Sequence, residues 1–282
     1  MKESAPPLII GPFTIYNFPQ HKAIIKQKQP ALAPLKWFQG DHDFVIQYQV
    51  RAKEQAKALK VADDKFEQFI LFLWFLIGYP TDDYEIGILS YQGYRNREAC
   101  VFSDTDVGHS AQGYGSFKPV HLDDAYFLNS TYGLDFFWQL FEKNDQNELE
   151  RRITLAVRWI GQSIIDRSIH SAFVKAAISI EVLLGPKRSE KCESIAKFIA
   201  NRLNLVLHYN DSGLDITGIF ETLYDARSAI AHAGKENVKE SDYFDLLSIA
   251  RQTVINIISN PLLRDCDSIE SVIGELADSN KY

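Results

Sequence analysis

The sequence predicts an α+β region followed by an all-α helical bundle, and two observations lead to this fold class. Up to about residue 133, short stretches of alternating β-branched and aromatic residues lie between turn residues, which is typical of strands. From Leu134 onward, apolar residues recur every three or four positions in segments of helical length. A chain of 282 residues is long enough for two domains. We therefore predict an α+β domain at residues 1–133 and a helical bundle at residues 134–282.

The elements of the first domain follow from local pattern and turn residues. The predicted strands are residues 11–18, 43–52, 84–94 and 98–104. Residues 60–79 have the length of a helix with one apolar face, and Pro80 ends that helix. Residues 105–120 are rich in Gly and Ser, so we predict a long loop there.

Six helices are predicted in the second domain, each with a stripe of apolar residues. They cover residues 134–144, 147–165, 168–185, 189–207, 215–234 and 241–260. Asp215 and Ser241 are candidate N-caps, and Gly234 is well placed to follow a helix end. Short loops between long helices predict antiparallel neighbours in an up-and-down bundle. After Leu262 we expect a loop and a short helix.

Charge limits the kinds of partner that the chain can bind. The formal net charge is −7, which argues against a protein that coats nucleic acid by bulk electrostatics. Residues 1–150 contain 14 basic and 20 acidic residues, a net charge of −6, whereas residues 151–282 contain 16 and 17, a net charge of −1. A local RNA or nucleotide site is therefore easier to place in the C-terminal half.

Cysteine usage and hydropathy predict a cytoplasmic protein. Cys100, Cys192 and Cys266 are widely spaced and odd in number, so we expect free thiols and no metal site. The most apolar run, residues 69–78, is about half the roughly 20 residues of a membrane-spanning helix. We predict a buried core segment there and no membrane contact. The first residues lack the apolar run of a signal peptide.

The predicted helix at residues 215–234 carries an arginine close to its apolar face. That face is marked by Ile216, Ile219, Phe220, Leu223 and Ile230. Burying the guanidinium of Arg227 costs several kcal/mol unless it is paired. Arg227 therefore either has an acidic partner in the bundle or faces a cleft that an anion can enter. Glu181 lies among apolar neighbours in the helix at 168–185, and it is our candidate partner.

His232 follows Arg227 by five residues, about 140° round the helix and roughly 7.5 Å along it. In the last turn of a helix the macrodipole favours the imidazolium, and a group that titrates near neutrality can donate or accept a proton. Ser228 and several alanines surround the pair, so a ligand can approach closely. Taken alone, an arginine and a histidine near a helix end are also compatible with surface or capping roles.

The stretch LYDARSAIAHAG, with the spelling Tyr-x-x-Arg-Ser-x-x-x-His-Ala-Gly, resembles the Arg-x(4–6)-His motif of HEPN domains (higher eukaryotes and prokaryotes nucleotide-binding). It looks most like the Apea-like HEPN proteins of bacteria. Residues 156–185, which end in Ile-Glu-x-Leu-Leu, are similar to the first two helices of the family, and ESIAKFIANRL fits the next one. The resemblance covers roughly residues 148–260.

The resemblance implies a metal-independent endoribonuclease that acts as a homodimer through the helical bundle, without a cofactor. Arg227, Ser228 and His232 would be the catalytic residues, and cleavage by the 2′-hydroxyl of the RNA would leave a 2′,3′-cyclic phosphate. Glu181, Tyr224 and Asp225 are expected to support the site. The expected contacts with RNA, possibly a tRNA, are Lys187, Arg188 and Lys235.

The resemblance also implies that this nuclease is an effector of a bacterial stress, toxin or anti-phage system, in which the N-terminal domain would sense a trigger protein, bind a partner or select the RNA. The alternative from a different class is a non-catalytic HEPN module that binds a nucleotide or a partner protein. A further alternative keeps the nuclease but has it held silent by an antitoxin subunit.

Overall fold

The computed structural model describes residues 6–30, 33, 34, 39, 44–51, 53–80, 97–102, 107–112, 133–187, 194–208, 216–233 and 238–279. These residues form a mostly helical structure with a small three-stranded sheet near the N-terminus. The predicted order, strands first and helices afterwards, is confirmed at this level of detail.

The N-terminal sheet has the order β1-β2-β3 and is antiparallel throughout. It consists of β1 (Leu8–Ile10), β2 (Phe13–Asn17) and β3 (Phe44–Tyr48). Phe13 pairs with Tyr48 at one end of the β2–β3 ladder and Asn17 with Phe44 at the other. Both predicted strands in this region are confirmed, and β1 is an additional strand that the sequence pattern did not reveal.

Helix α1 (Phe18–Lys28) directly follows β2 and was also not predicted. It begins there because the side chain of Asn17 accepts a hydrogen bond from the backbone N–H of Gln20, and Pro19 occupies the first turn. Phe18, His21 and Ile25 are buried, and Phe18 and Ile25 pack in a small cluster with Tyr16. The sequence signal was weak because few residues of α1 are apolar.

Helix α2 (Gln55–Ile77) confirms the predicted helix and begins five residues before its predicted start. It ends at Gly78, whose φ of 89° is a left-handed conformation that suits glycine. The guanidinium of Arg251 lies against this end and donates a hydrogen bond from Nε to the carbonyl of Phe75 at 3.0 Å. The apolar run predicted to be core is buried from Phe69 to Leu76.

Strands β4 (Arg97–Phe102) and β5 (Val107–Gln112) form a separate antiparallel pair. β4 confirms the predicted strand at 98–104, and the predicted strand at 84–94 lies outside the described residues. The loop predicted at 105–120 is wrong for residues 107–112, which pair with β4. The composition of β5 is typical of a loop, but pairing with a neighbouring strand overrides such weak preferences.

The helices of the C-terminal half are close to their predicted positions. They are α3 (Leu134–Glu142), α4 (Glu148–Ile164), α5 (Ile169–Leu184), α6 (Ile195–His208), α7 (Thr217–Ala233), α8 (Glu240–Ser259), α9 (Pro261–Arg264) and α10 (Ile269–Ser279). A four-residue connection joins α4 to α5, which pack against each other, and α8 packs on both. α6 packs on α7 and on α10.

Of the three cap positions predicted for the helices, one is wrong and two lie outside the described residues. Ser241 is not the N-cap of α8: the helix begins at Glu240, and the carboxylate of Asp242 accepts a hydrogen bond from the backbone N–H of Lys239. An acidic residue in the first turn can accept a hydrogen bond from a backbone N–H at the helix start, just as the hydroxyl of a serine N-cap does. Asp215 and Gly234 lie outside the described residues.

Residues from both halves of the chain contribute to one apolar cluster. Aromatic members of it include Phe13, Phe72 and Phe75 before residue 133, and Phe137, Phe173 and Phe220 after it. α2 packs against α4, and Gly161 of α4 lies directly against the backbone carbonyl of Leu71. The two-domain boundary remains a prediction. None of the helices in the described residues is long and apolar enough to cross a membrane.

We predict that Gly161→Ala destabilises the protein by about 1–3 kcal/mol, because a Cβ at this position would overlap the carbonyl group of Leu71. The free energy of unfolding in urea measures the effect. Gly274→Ala is the matched control, because nothing lies within 4 Å of a Cβ at that exposed position in α10. The control should be stabilised by about 0.5–1 kcal/mol through helix propensity. Equal effects at the two sites would contradict the close α2–α4 contact.

Candidate active site

The buried face of helix α7 contains most, but not all, of the apolar residues predicted for it. Ile216, Phe220 and Leu223 are buried, and Ile230 packs against the core at partial exposure. Ile219 was predicted to lie on the buried face, but 45% of it is exposed. The buried stripe of α7 is therefore narrower than the apolar pattern indicated, because no described element covers the side of α7 that carries Ile219.

The predicted pairing of Arg227 with Glu181 is confirmed. Nη2 of Arg227 donates a hydrogen bond to Oε2 of Glu181 at 3.1 Å. Nε and Oε1 are 3.0 Å apart, but the N–H direction is not that of a hydrogen bond, so this second contact is ionic only. The side chains are 19% and 23% exposed. The pair thus joins α7 to the last turn of α5 at the edge of the core.

Tyr224 contributes to the same cluster from one turn earlier in α7. Its ring centroid lies 5.7 Å from Cζ of Arg227, within the range of a cation–π contact. Its side chain also hydrogen-bonds with Glu181. A single carboxylate on α5 therefore contacts both Tyr224 and Arg227, which fixes the arginine between a ring and an acid.

Burial raises the pKa of Glu181 above its ordinary value, because desolvation disfavours the carboxylate. The charge of Arg227 and the hydrogen bond with Tyr224 act in the opposite direction and offset only part of this effect on the pKa. The site therefore holds a carboxyl group that is more easily protonated than an exposed glutamate.

Two further arginines bind the same end of α5. Nη1 of Arg152, in α4, donates to the carbonyls of Val182, Leu183 and Gly185 at 3.0, 3.3 and 3.1 Å. Nη1 of Arg202, in α6, donates to the carbonyl of Leu184 at 3.1 Å. Sequence reasoning missed both. In the sequence, each of these arginines directly precedes a buried residue of its helix. That position and the general need of helix-end carbonyls for hydrogen-bond donors are the signals that could have indicated this role.

Lys187, predicted to contact RNA, lies among carboxylates. Its Nζ is 2.9 Å from Oε2 of Glu270 and 3.3 Å from Oε2 of Glu148. The hydrogen bond with Glu270 raises the pKa of Lys187. An RNA phosphate would have to compete with these two carboxylates, so this role stays a prediction. Arg188 and Lys235 lie outside the described residues.

The other predicted site residues are on α7. Ser228 is half-buried and Asp225 is exposed. The backbone of His232 is in the last turn of α7, one helical turn after Ser228, and its side chain lies outside the described part of the chain. In ideal helix geometry Ser228 and His232 share a face, whereas Arg227 points about 140° away from His232.

Two further features bear on the chemistry of the site. Among the residues that the structure describes, no three His, Cys, Asp or Glu side chains are grouped so that they could hold a metal ion. Cys266, the cysteine whose side chain is described, is a free thiol.

The chain matches no protein-family model, and neither a curated protein nor a solved structure is detectably similar to it.

The raised pKa of Glu181 predicts a specific dependence of stability on pH. Between the ordinary pKa of glutamate and the raised value, the folded protein binds more protons than the unfolded chain, so stability falls as pH rises through this range. Glu181→Gln removes this titration. We expect the free energy of unfolding of the wild type, relative to Glu181→Gln, to decrease as the pH rises above about 4, the ordinary pKa of glutamate.

Urea denaturation across this pH range measures the difference. Glu275→Gln, which removes an exposed carboxyl group from α10, controls for the loss of one negative charge. If the relative stability of the wild type instead increases with pH, the attraction of Arg227 outweighs burial and the assigned direction of the shift in pKa is wrong.

Proposed function

We propose that this protein is an endoribonuclease that cleaves RNA without a metal ion, through a HEPN-like site formed by Arg227, Ser228 and His232. The observation that carries the proposal is the ion pair in which Glu181 fixes the side chain of Arg227. Glu181 contacts the Nε and Nη2 atoms of the guanidinium, and no described residue binds Nη1. An arginine fixed on one side and partly exposed is suited to binding a phosphate on the other.

The proposed reaction is an attack by the ribose 2′-oxygen on the adjacent phosphorus. A base removes the proton of the 2′-hydroxyl as the new P–O bond forms, and an acid protonates the 5′-oxygen as the old P–O bond breaks. The products are a 2′,3′-cyclic phosphate and a 5′-hydroxyl end. His232 would carry out one or both proton transfers, since imidazole titrates near neutral pH.

Arg227 would stabilise the negative charge that develops on the phosphorane oxygens. A donor that is already oriented needs little reorganisation when this charge forms, and such groups contribute strongly to rate. Glu181 and Tyr224 would act as positioning residues, because they contact the guanidinium and no reacting atom. Ser228 would orient the phosphate or His232 by a hydrogen bond.

The proposed assembly is a homodimer in which the two α7 ends form one cleft, as the resemblance to HEPN domains implies. This arrangement would also bring the arginine of one protomer close to the histidine of the other. We expect the enzyme to act in the cytoplasm as a toxin or anti-phage effector. A trigger or antitoxin protein would then control it.

A second function is favoured by the same ion pair. Since Glu181 already balances the charge of Arg227, the pair would also suit a non-catalytic module that binds a nucleotide or a partner protein. In such a module Arg227 would tie α7 to α5, and His232 would have no role in chemistry. The two functions differ in what the loss of His232 does.

We predict that His232→Ala lowers RNA cleavage by about 10²–10⁴-fold, the usual contribution of a general acid–base group. The assay follows 5′-labelled single-stranded RNA and total tRNA in EDTA, with the 2′,3′-cyclic end identified by mass spectrometry. His170→Ala is the matched control, since His170 is a partly buried histidine of the same bundle, at the start of α5. It should cleave like the wild type.

Arg227→Ala separates the two functions when its folding is measured beside its activity. An inactive protein with a near-native melting temperature supports a role in catalysis, whereas loss of folding would assign Arg227 a structural role. If the folded wild-type dimer and His232→Ala have the same activity, or neither cleaves either RNA, the nuclease proposal is wrong and the binding module is preferred.

A further inference from the structure

The last turn of α5 has a hydrogen-bond donor for each of its backbone carbonyls. Arg152 of α4 donates to three of the carbonyls between Glu181 and Gly185, and Arg202 of α6 donates to a fourth. The carbonyl of Glu181 accepts from the backbone N–H of Gly185 at 2.8 Å. The end of a helix ordinarily frays, because its last carbonyls have no partner within the helix. Here two arginines from neighbouring helices hold the whole turn.

The two arginines are themselves fixed on their own helices. Nε of Arg152 donates to Oε1 of Glu148, one turn earlier in α4, at 2.8 Å. Cζ of Arg202 lies 4.3 Å from the ring centroid of Phe198, one turn earlier in α6. The side chains of Arg152 and Arg202 are only 16% and 11% exposed. Both guanidinium groups therefore reach the end of α5 from defined positions.

The turn that they hold carries the carboxylate of the candidate site. Glu181 directs its side chain to α7, where its Oε2 accepts a hydrogen bond from Nη2 of Arg227 at 3.1 Å. A Cβ at Gly185 would overlap the carbonyl oxygen of Glu181, so the backbone of this turn is also closely packed. Fraying of the turn would move the carboxylate, and Arg227 would lose the contact that orients it.

Capping of a helix end explains such arginines only in part. Arg251 serves the end of α2 in this way, with a hydrogen bond from Nε to the carbonyl of Phe75. The end of α5 differs, because two arginines bind it and because the turn they bind contains Glu181. For α2 the consequence of losing the arginine is a loss of stability alone. For α5 we expect an additional consequence at Arg227.

We propose that Arg152 and Arg202 are positioning residues of the nuclease, and that they set the direction of Arg227 through Glu181. The inference rests on the proposed function, because only that function assigns Arg227 to catalysis. A displacement of about 1 Å in a group that contacts the reacting phosphate can lower the rate about 100-fold. Arg152 and Arg202 donate to backbone carbonyls of α5, so their effect on the rate passes through its last turn.

Replacing one arginine with lysine tests the proposal, since lysine keeps the charge but lacks the planar set of donors. Arg152→Lys should lower kcat for cleavage of single-stranded RNA by about 10–100-fold. Arg251→Lys is the matched control, because it removes the same kind of contact from the end of α2. The control should keep the kcat of the wild type. Urea unfolding of both variants shows whether their losses of stability are comparable.

A double-mutant cycle shows whether Arg152 acts through Glu181. Once Glu181→Gln has weakened the contact with Arg227, adding Arg152→Lys should lower kcat little further, because both changes affect the same contact. Additive losses of kcat would overturn the proposal, and so would an equal loss of kcat in Arg251→Lys. If Arg152→Lys does not fold, Arg202→Lys takes its place, since it affects one carbonyl of α5 instead of three.

A measurement without RNA separates this proposal from that of the nuclease. The NMR order parameter of the Nε–H bond of Arg227 reports how firmly its guanidinium is held. It should fall in Arg152→Lys and stay at the wild-type value in Arg251→Lys. An unchanged order parameter in Arg152→Lys would overturn the positioning role. A lower order parameter in a protein whose wild type cleaves no RNA would refute the nuclease and keep the positioning of Arg227.

Discussion

The arrangement of the bundle depends on how the C-terminal turn of α5 is satisfied. The last carbonyls of a helix have no partner within it, and leaving them unpaired beside an apolar core is costly. Here Arg152 from α4 and Arg202 from α6 donate to the carbonyls of residues 182–185, and Glu181 in the same turn binds Arg227 of α7. Three arginines on three helices therefore converge on one helix end. Because each guanidinium has a fixed planar set of donors, these contacts also fix the positions of the helices that carry them.

A comparable contact joins the first half of the chain to the bundle. Arg251 of α8 binds the end of α2, and Gly161 lets the α2 backbone approach α4 directly. Within the part of the chain that the structure describes, arginines thus donate hydrogen bonds to the ends of two helices, α5 and α2. Elements from both halves share the apolar cluster. A substitution at one of these contacts would therefore also alter the packing at the other contacts.

The ion pair between Arg227 and Glu181 illustrates the balance between stability and function. Partly buried ion pairs stabilise little, because desolvation offsets much of the attraction between the charges. Glu181 keeps a raised pKa in spite of Arg227, which agrees with this balance. The pair is better explained by orientation than by stability: it sets the direction in which the remaining donors of Arg227 point. In the proposed nuclease, Arg227 would need such a fixed direction to bind a phosphate.

The sequence by itself determined the helices and one important contact. Apolar periodicity located the helices of the C-terminal half because it reflects a local, repeating geometry, and an acid and an arginine on two apolar faces of one bundle predicted the Glu181–Arg227 pair. Only the tertiary structure decided the rest. Strand β5 exists because of its pairing with β4, the exposure of Ile219 depends on which elements cover α7, and Lys187 is paired because Glu148 and Glu270 approach it from helices distant in sequence. Each of these depends on contacts between residues far apart in the chain, and a local pattern contains no information about them.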